Sequence, residues 1–596
     1  MKKIVYSVLA IAALMLAASC EKNLDIPQKG VTTYDNFYQT EADAVSALTA
    51  AYARFATRIT GQDGSSIYTD YKAALNNCGD DMYAAGSNFG DNDFMAQLDE
   101  FRLDSGNQVV DHFYKNLFQV NYALNLVIVN FENGLPDGTT TATVKRCVAE
   151  ARVMRAYVYF LLTALWNTPP VVTTILTPQD LPFNSDKDPE NPMSHEDLFK
   201  WVAKECETAA ADLDERKNTA DKDGAVKVTK GFAWALQGKA LLFAKDYAGA
   251  KTAFKKVIDS GKYALVPGDR FWENFHVEGD CNEEKVFETN IEFNSGLSAW
   301  GGQIQRSTWM EANIWNWRSD HFVAGASPQA KYTGGVDGWG GLGVPQWFGD
   351  AFFENDGHSP RFDATLKHVD DAVYGMEYTD ATIAALSYEE RKTSDLIGIA
   401  DQKEGLYGQS FWLPFKQLVR KTDVGSYGGN VRLNNGIIMR YAEVLLLYAE
   451  ACLQSGDATQ GAWAVNEIRK RAGLAQLASV SMDDLKKEKM FELWLEGSRW
   501  LDLLRWGDTD RVKQAGQDVP KLFDKLHRTP KGDDKGIKWE HGTEANSRFY
   551  TVSTHEAIDA KYEVGFKAGK HEFFPFPISE MDRNPNMVQN PGWEGK

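Results

Sequence analysis

The chain has 596 residues, of which 43% are hydrophobic and 25% are charged, as is ordinary for a globular protein. Its formal net charge of −19 excludes a nucleic-acid-binding role, because neutralising phosphates requires a basic surface, whereas an uncharged ligand is compatible with it. Aromatic residues are abundant, with 17 Trp and 23 Tyr. Aromatic side chains that are not needed to fill a hydrophobic core indicate a binding surface.

The N-terminal segment has the pattern of a secretory signal peptide. Lys2 and Lys3 precede an almost unbroken apolar run over 4–18, which is too short to span a membrane as a stable helix. Small residues then lead to Cys20, as in a lipobox, although an alanine stands where leucine is usual. We expect a signal peptide over 1–19 and acylation of Cys20, which would anchor the protein in a membrane. The alternative is an ordinary signal peptide with an incidental cysteine.

Helical periodicity dominates the chain after a polar stretch over 20–40, which we interpret as a tether. Apolar residues recur at helical spacing over 41–59, 109–129, 143–165, 195–213, 229–260, 436–471 and 482–505. We therefore predict an N-terminal helical part over 41–261 and a C-terminal helical part with a docking tail over 436–596. The section between them, 262–435, is rich in Gly, Trp, Asn and Asp, and it predicts short strands and long excursions that form a ligand-binding insertion.

Residues 229–260 resemble one tetratricopeptide hairpin. Placing Trp234 at the fourth position of the 34-residue frame puts Gly238 at the eighth, Ala250 at the twentieth and Phe254 at the twenty-fourth. These are positions where the repeat requires large, small, small and aromatic residues, because small residues let two antiparallel helices approach while aromatic rings fill the seam. The leucine and proline signatures of the repeat are missing, which indicates a divergent unit.

Five motifs are spread over the chain. They are EARVMRAY at 150–157, NNGIIMRYAEVLLLYAE at 434–450, NEIRKRAG at 466–473, FELWLEGSRWLDLLRWG at 491–507 and FPFPISEMDRNPNMVQNPGW at 574–593. In order and spacing they resemble the motifs of the SusD/RagB family of nutrient-binding lipoproteins. The resemblance implies a mainly α-helical, tetratricopeptide-like scaffold, placed on the outer membrane and facing the exterior. It also implies a non-catalytic role in polysaccharide utilisation, with a SusC-like TonB-dependent transporter as partner.

Charged residues within these motifs recur at helical spacing, and the last motif ends in turn-forming residues. The charged residues are Arg440, Glu443, Glu450, Glu496, Arg499, Asp502 and Arg505. We interpret them as structural ion pairs that tie helices together rather than as catalytic groups. The sequence QNPGW at 589–593 predicts turns that dock the C-terminus on the body.

A cluster of six tryptophans is the sharpest functional feature of the sequence. Its members are Trp300, Trp309, Trp315, Trp317, Trp339 and Trp347, and they alternate with Gly, Asn, Gln, Arg and Asp. No single helical stripe accounts for all six. Rings exposed on loops can stack on the apolar faces of sugars while neighbouring amides and charges bind hydroxyl groups. The alternative is that some of these indoles fill a local core under the loops.

The family resemblance implies further ligand contacts in a loop that follows the first helix. The corresponding region here is 77–94, in which Tyr83, Asn88, Phe89 and Asn92 are the candidate binding residues. No motif fixes these four residues individually.

Other motifs give no support for a cofactor, a metal ion or a catalytic site. The sequence GWGGLG at 338–343 formally matches a dinucleotide fingerprint, but it neither follows a clear strand nor opens a helix. The five cysteines after Cys20 are scattered without a CxxC pair, which favours buried free thiols over disulfides or zinc. We therefore expect glycan binding and delivery to the transporter. Peptide binding by the same architecture, a glycoside hydrolase and a purely structural tetratricopeptide scaffold are the alternatives.

Overall fold

The structure is a computed structural model of the chain. It describes residues 33–60, 70–86, 88, 90–290, 316–317, 331–332, 335, 338–394, 396–397, 406–424, 433–512, 519–524, 547–548, 550–556 and 563–594. The predicted signal peptide, Cys20, Phe89, Trp300, Trp309 and Trp315 lie outside these residues.

The helices confirm the mainly α-helical class. In chain order they are α1 (Glu41–Phe55), α2 (Asp70–Asn76), α3 (Asp93–Asp99), α4 (Gln108–Phe131), α5 (Ala142–Trp166), α6 (His195–Ala209), α7 (Lys230–Phe243), α8 (Tyr247–Asp259), α9 (Gln346–Asp356), α10 (Pro360–Thr365), α11 (Val369–Tyr374), α12 (Ala381–Ala384), α13 (Tyr388–Arg391), α14 (Lys421–Val424), α15 (Tyr441–Gln454), α16 (Ala458–Arg471), α17 (Met482–Glu492), α18 (Arg499–Trp506) and α19 (Ile578–Met581). Of the helices that the structure describes, none combines the length and the hydropathy needed to cross a membrane.

The strands are short and form five small antiparallel sheets within the described residues. They are β1 (Tyr83–Ala84), β2 (Lys285–Thr289), β3 (Lys331–Tyr332), β4 (Leu342–Gly343), β5 (Leu366–His368), β6 (Met376–Glu377), β7 (Leu406–Tyr407), β8 (Trp412–Pro414), β9 (Gly436–Arg440), β10 (Val519–Asp524) and β11 (Tyr550–Glu556). The pairs are β1 with β4, β2 with β9, β3 with β6 and β5 with β8, and β10 lies between β7 and β11.

The helices α4 to α8 form a row in which each helix packs against the next one along the chain. Helix α15 continues the row by packing against α8, although about 180 residues separate the two in sequence, and α16 packs against α15. This arrangement is the tetratricopeptide-like scaffold that the sequence predicts. Its apolar faces build one large hydrophobic core.

The hairpin of α7 and α8 confirms the predicted repeat unit. Asp246 caps α8 by accepting a hydrogen bond from the backbone N–H of Gly249 at 2.9 Å, and Lys245 turns the chain with a φ of 62°. A Cβ atom placed on Gly238 would lie 2.8 Å from the ring of Phe254, so the glycine is required for the close approach of the two helices.

Two predicted helical blocks are interrupted. Residues 436–471 begin with strand β9 rather than with helix, and two helices follow. The block 482–505 breaks after α17, because Leu495 and Gly497 adopt φ values of 60° and 79°. A helix requires negative φ throughout, so the chain turns here and starts again as α18.

The insertion leaves and rejoins the helical row at one point. Strand β2 runs out of the row and strand β9 returns antiparallel to it, with Thr289 opposite Gly436 and Lys285 opposite Arg440. We call this strand pair the neck. Beyond it, the insertion has a hydrophobic core of its own. Strands β10 and β11, which the sequence groups with the C-terminal helical part, contribute to that core, and β10 pairs with both β7 and β11.

Buried ion pairs join the insertion to the C-terminal helices. The guanidinium of Arg440 contacts Glu284 at 2.6 Å, Glu492 at 2.6 Å and Glu496 at 2.6 Å, and all four side chains are nearly or fully buried. The other predicted pairing residues also contact partners in other segments: Arg505 with Glu450, Arg499 with Asp80, Asp502 with Lys489 and Glu443 with Lys239. These contacts confirm the structural interpretation of the charged motif residues.

The C-terminal tail docks on the end of α5, as its turn sequence predicts. Trp166 donates its indole N–H to the carbonyl of Pro575 at 3.1 Å, and the Asn590 amide donates to the carbonyl of Phe574 at 2.8 Å. Gly592 has a φ of 80°, and Trp593 behind it is buried. The cysteines of the described residues are free thiols, and all but Cys281 are buried.

Candidate functional site

Two regions that the sequence nominated separately lie side by side. Strand β1, in the loop region 77–94, pairs with β4, in the tryptophan-rich segment, so that Tyr83 lies opposite Gly343. The pairing continues where the N–H of Ala85 donates to the carbonyl of Gly341 at 2.9 Å. The structure thus places Tyr83 of the first region directly beside the strand that follows Trp339 in the second.

A third segment holds these two together. The N–H of Gly86 donates to the carbonyl of Tyr407 at 3.1 Å, and the Gln409 amide donates to the carbonyl of Gly340 at 3.0 Å. A Cβ atom on Gly343 would lie 1.8 Å from the carbonyl oxygen of Gly408. The glycines of the 338–343 motif therefore serve close backbone packing in this structure, and the next helix, α9, begins only at Gln346 rather than within the motif as a dinucleotide site would require.

Trp339 is the most exposed tryptophan of the described residues, with 42% of its surface accessible. The backbone on either side of it is fixed, since the N–H of Gly338 donates to the carbonyl of Trp317 at 2.9 Å and the N–H of Gly340 donates to that of Asn316 at 2.8 Å. Asn316 is anchored in turn by its amide, which donates to the carbonyl of Val419 at 2.9 Å. An exposed indole on a fixed backbone is the arrangement that the stacking hypothesis needs.

Trp317 is placed differently, in the core of the insertion. Only 3% of it is exposed, and its indole N–H donates to the carbonyl of Pro414 at 3.0 Å. Its ring faces are occupied by the neighbouring apolar side chains of the insertion core. This placement corrects the expectation of an exposed ring at position 317 and agrees with the alternative that some indoles fill a local core.

Trp347 lies in the first turn of α9 and is half-buried. The guanidinium carbon of Arg511 lies 4.1 Å from the centre of its ring, and Arg511 also lies 4.0 Å from the carboxylate of Asp80. Asp80 itself accepts two hydrogen bonds from Arg499, at 2.6 and 2.9 Å. Sequence reasoning missed Arg511, which follows the last helical motif and carries no pattern of its own.

The loop after β1 is polar and begins next to the 338–343 segment, where Ala85 bonds to Gly341. Asn88 is exposed, and its carbonyl accepts a hydrogen bond from the N–H of Asp91 at 3.1 Å. Asn92 has a φ of 54°, and its side-chain amide donates to the carbonyl of Ala85 at 3.1 Å. Of the candidate residues in this loop, Asn88 presents its side chain to solvent, Tyr83 is half-buried, and Asn92 uses its amide to shape the loop.

Buried acids lie behind the loop. Burial raises the pKa of Asp99 well above its usual range, and its carboxyl group accepts a hydrogen bond from the N–H of Ala84 at 3.1 Å. Burial and the charge of Asp80 raise the pKa of Asp81 to about 7. Raised carboxyl pKa values inside a cleft would suggest catalysis. Here Asp81 and Asp99 are 2% and 3% exposed, so they support β1 from the interior and are shielded from a bound ligand.

We call Tyr83, Asn88, Trp339, Trp347 and Arg511, which lie in or next to the paired strands β1 and β4, the aromatic ledge. It combines one widely exposed indole, two half-buried rings and polar groups at its rim. Such a surface can stack on flat apolar faces and form hydrogen bonds at their edges. It carries no nucleophile–base pair among its described members.

Comparison with known proteins agrees with this architecture. The sequence profile of the SusD family matches residues 311–593. A SusD-like protein of Bacteroides ovatus is 24% identical over 98% of this chain and 97% of its own length. The starch-binding protein SusD of Bacteroides thetaiotaomicron is 24% identical over 80% of this chain and 78% of its own length. A laminarin-binding SusD-like protein of known structure has a TM-score of 0.66 and 21% identity, with 93% of this chain and 100% of that chain covered.

The structural likeness by itself establishes the fold. The family profile adds sequence evidence, because it spans four of the five motifs quoted above. The relatives from Bacteroides add matches that extend over most of the chain, including its N-terminal half. The family profile, the curated relatives and the structural neighbours together support a SusD/RagB family protein.

Proposed function

We propose that this protein binds glycan at the cell surface without cleaving it and delivers it to a SusC-like TonB-dependent transporter. The observation that carries the proposal is the exposed face of Trp339 on a fixed backbone, next to the polar loop around Asn88. Relatives named for binding starch and laminarin support glycan as the class of ligand. The net charge of −19 also favours an uncharged ligand.

The size of the ledge suggests a modest affinity. Stacking one sugar face buries about 100 Å² of apolar surface, which contributes roughly 2.5 kcal/mol at about 25 cal/mol per Å². Association costs about 4 kcal/mol or more, so two or three such contacts are required. We therefore expect dissociation constants on the order of μM to mM.

The proposed location rests on the lipid anchor. The predicted acylation site, Cys20, precedes the first described residue, Thr33, by a short polar segment. A tether of that length would hold the body near the membrane surface, within reach of a transporter. Replacing Cys20 by alanine should move the protein from the membrane fraction to the soluble fraction, and the lipidated protein should copurify with a TonB-dependent transporter in detergent.

The deciding experiment is isothermal titration calorimetry of the chain from residue 21 onward. We would titrate laminarin, soluble starch and a mixed peptide digest, and we would assay each glycan for new reducing ends. Saturable binding of a glycan with no reducing ends released supports the proposal. Binding of peptide alone would favour the peptide alternative, release of reducing ends would favour a hydrolase, and no binding at all would favour a structural scaffold.

A further inference from the structure

A groove on the helical part of the molecule shares no lining residue with the aromatic ledge. It lies between α4, the segment 170–182 that follows α5, and residues 580–584 of the C-terminal tail. Its volume is about 520 Å³. Small-molecule sites in proteins have volumes of roughly 300–1,000 Å³, so the groove is large enough to hold a ligand.

One wall of the groove is a stripe of aromatic side chains on α4. Tyr114, Phe118 and Tyr122 follow one another at four-residue spacing, which places them on one face of the helix about 6 Å apart along its axis. The rings of Tyr114 and Phe118 have their centres 4.9 Å apart, and Tyr122 is 50% exposed. This stripe presents flat apolar surface in steps that resemble the ring repeat of a linear oligosaccharide.

The opposite wall is fixed to α4 by hydrogen bonds. The side-chain amides of Asn121 and Asn125 donate to the carbonyl of Val172 at 2.8 and 2.9 Å. In the tail, the Asn584 amide donates to the carbonyl of Pro182 at 2.8 Å. Because these bonds join all three segments, the groove is preformed and a ligand would spend little free energy on ordering it.

A buried hydroxyl group without a hydrogen-bond partner among the described residues lies beneath the surface of the groove. Tyr114 is 3% exposed and lines the groove, and its hydroxyl group forms no hydrogen bond with any residue that the structure describes. A buried polar group without a partner is unfavourable and is rare in native proteins. Burial raises the pKa of this phenol well above its usual range, so the hydroxyl keeps its proton and can donate it in a hydrogen bond.

The charges that line the groove cancel. Lys115 and Arg583 oppose Asp180 and Glu580. Lys115 already contacts Asp111 at 2.6 Å, and Asp180 accepts hydrogen bonds from the N–H and hydroxyl of Thr177 at 2.7 and 2.8 Å. A groove with balanced charges does not select an anion or a cation, and it suits an uncharged ligand rich in hydroxyl groups.

From this geometry we propose that the groove is a second carbohydrate site, which binds a short neutral oligosaccharide or the end of a longer chain. The sugar rings stack along Phe118 and Tyr122. The site works independently of the aromatic ledge, since the two surfaces share no residue.

Calorimetry with maltohexaose and laminarihexaose as probes tests this site separately from the ledge. In a Trp339→Ala background, which weakens the ledge, we expect residual binding of at least one probe. Adding Tyr122→Ala, which removes the most exposed ring of the stripe, should weaken that residual binding by at least about tenfold. Tyr388→Ala, a change of a similarly exposed tyrosine on α13, should have no effect on binding.

The outcomes separate the two proposals. If Trp339→Ala abolishes binding of both probes and Tyr122→Ala alone changes nothing, the second site is refuted while glycan binding at the ledge stands. If Tyr122→Ala abolishes binding and Trp339→Ala does not, the second site stands and the ledge is refuted. If the wild-type protein binds neither probe, or if the groove binds peptide instead, the carbohydrate assignment of the groove is wrong.

Discussion

Replacing Trp339 by alanine is the most direct test of the aromatic ledge. Burial removes up to about 250 Å² of a tryptophan from water, so an exposed fraction of 42% leaves about 100 Å² for a ligand to cover. At about 25 cal/mol per Å² this area contributes at most roughly 2.5 kcal/mol to binding. A sugar that covers about half of it would gain about 1.3 kcal/mol. The dissociation constant should therefore rise roughly 10- to 70-fold in the variant.

The measurement is calorimetric titration of wild type and variant with the glycan that binds most tightly in the screen. Trp463→Ala provides a matched control, because Trp463 is 38% exposed but lies on α16 in the helical row, where it packs against Tyr448. That control should bind the glycan as wild type does. Both variants should keep the wild-type melting temperature within a few degrees, since neither indole is buried.

A specific result would refute the reasoning. If Trp339→Ala binds within about twofold of wild type while remaining folded, the exposed indole takes no part in recognition. If Trp463→Ala weakens binding equally, the loss reflects a general effect of removing a surface tryptophan. Either result would leave the ledge without physical support as a carbohydrate platform.

Three further predictions concern stability. Arg440→Met removes the buried cation that Glu284, Glu492 and Glu496 share and should cost about 3–5 kcal/mol in the free energy of unfolding. Lys255→Met, which breaks an exposed pair, should cost under about 0.5 kcal/mol. Gly238→Val forces a side chain against the ring of Phe254 and should cost about 1–3 kcal/mol, measured by denaturant unfolding. The pKa of Asp81 is about 7 when folded, above its ordinary 3.8, so the folded state holds this proton more tightly and loses stability as pH rises from about 4 to about 7. Asp81→Asn should therefore raise the melting temperature more at pH 8 than at pH 4.5.

Each of these has a contradicting outcome. Equal losses from Arg440→Met and Lys255→Met would mean that the buried network adds nothing beyond a surface pair. A fully stable Gly238→Val variant would show that the two helices tolerate a wider separation. A pH-independent effect of Asp81→Asn would mean that this carboxyl group does not titrate between the two pH values.

The helical row could be predicted because its signals are local. The spacing of Gly238 and Phe254 lies within one hairpin, and the same spacing rule that marks the repeat determines how close the helices come. The ion pairs could be predicted only in part. Arg440 and Glu496 belong to two recognisable motifs, whereas Glu284 completes the network from 156 residues away, where no motif marks it.

The candidate site could not be fully predicted, because it is built from contacts between distant segments that the periodicity of the sequence does not reveal. Trp317 and Trp339 are the same residue type in similar surroundings, and they differ because the segment around Pro414 covers one indole and leaves the other exposed. The second groove was missed for a related reason. In the sequence, Tyr114 and Tyr122 have the spacing of an ordinary amphipathic helix. They line a cavity because residues far along the chain form its opposite wall.

The neck formed by β2 and β9 affects how the insertion can vary in length and sequence. Because the two strands pair, the chain re-enters the helical row at the place where it left, with Thr289 opposite Gly436. Segments of very different length could then be grafted above the same pair of strands without shifting α8 or α15, since closing a longer loop adds little entropy cost. Because β1, β10 and β11 also pack on the insertion, a chimera joined at β2 and β9 that also carries its donor's counterparts of these strands should fold and take on the sugar preference of its donor.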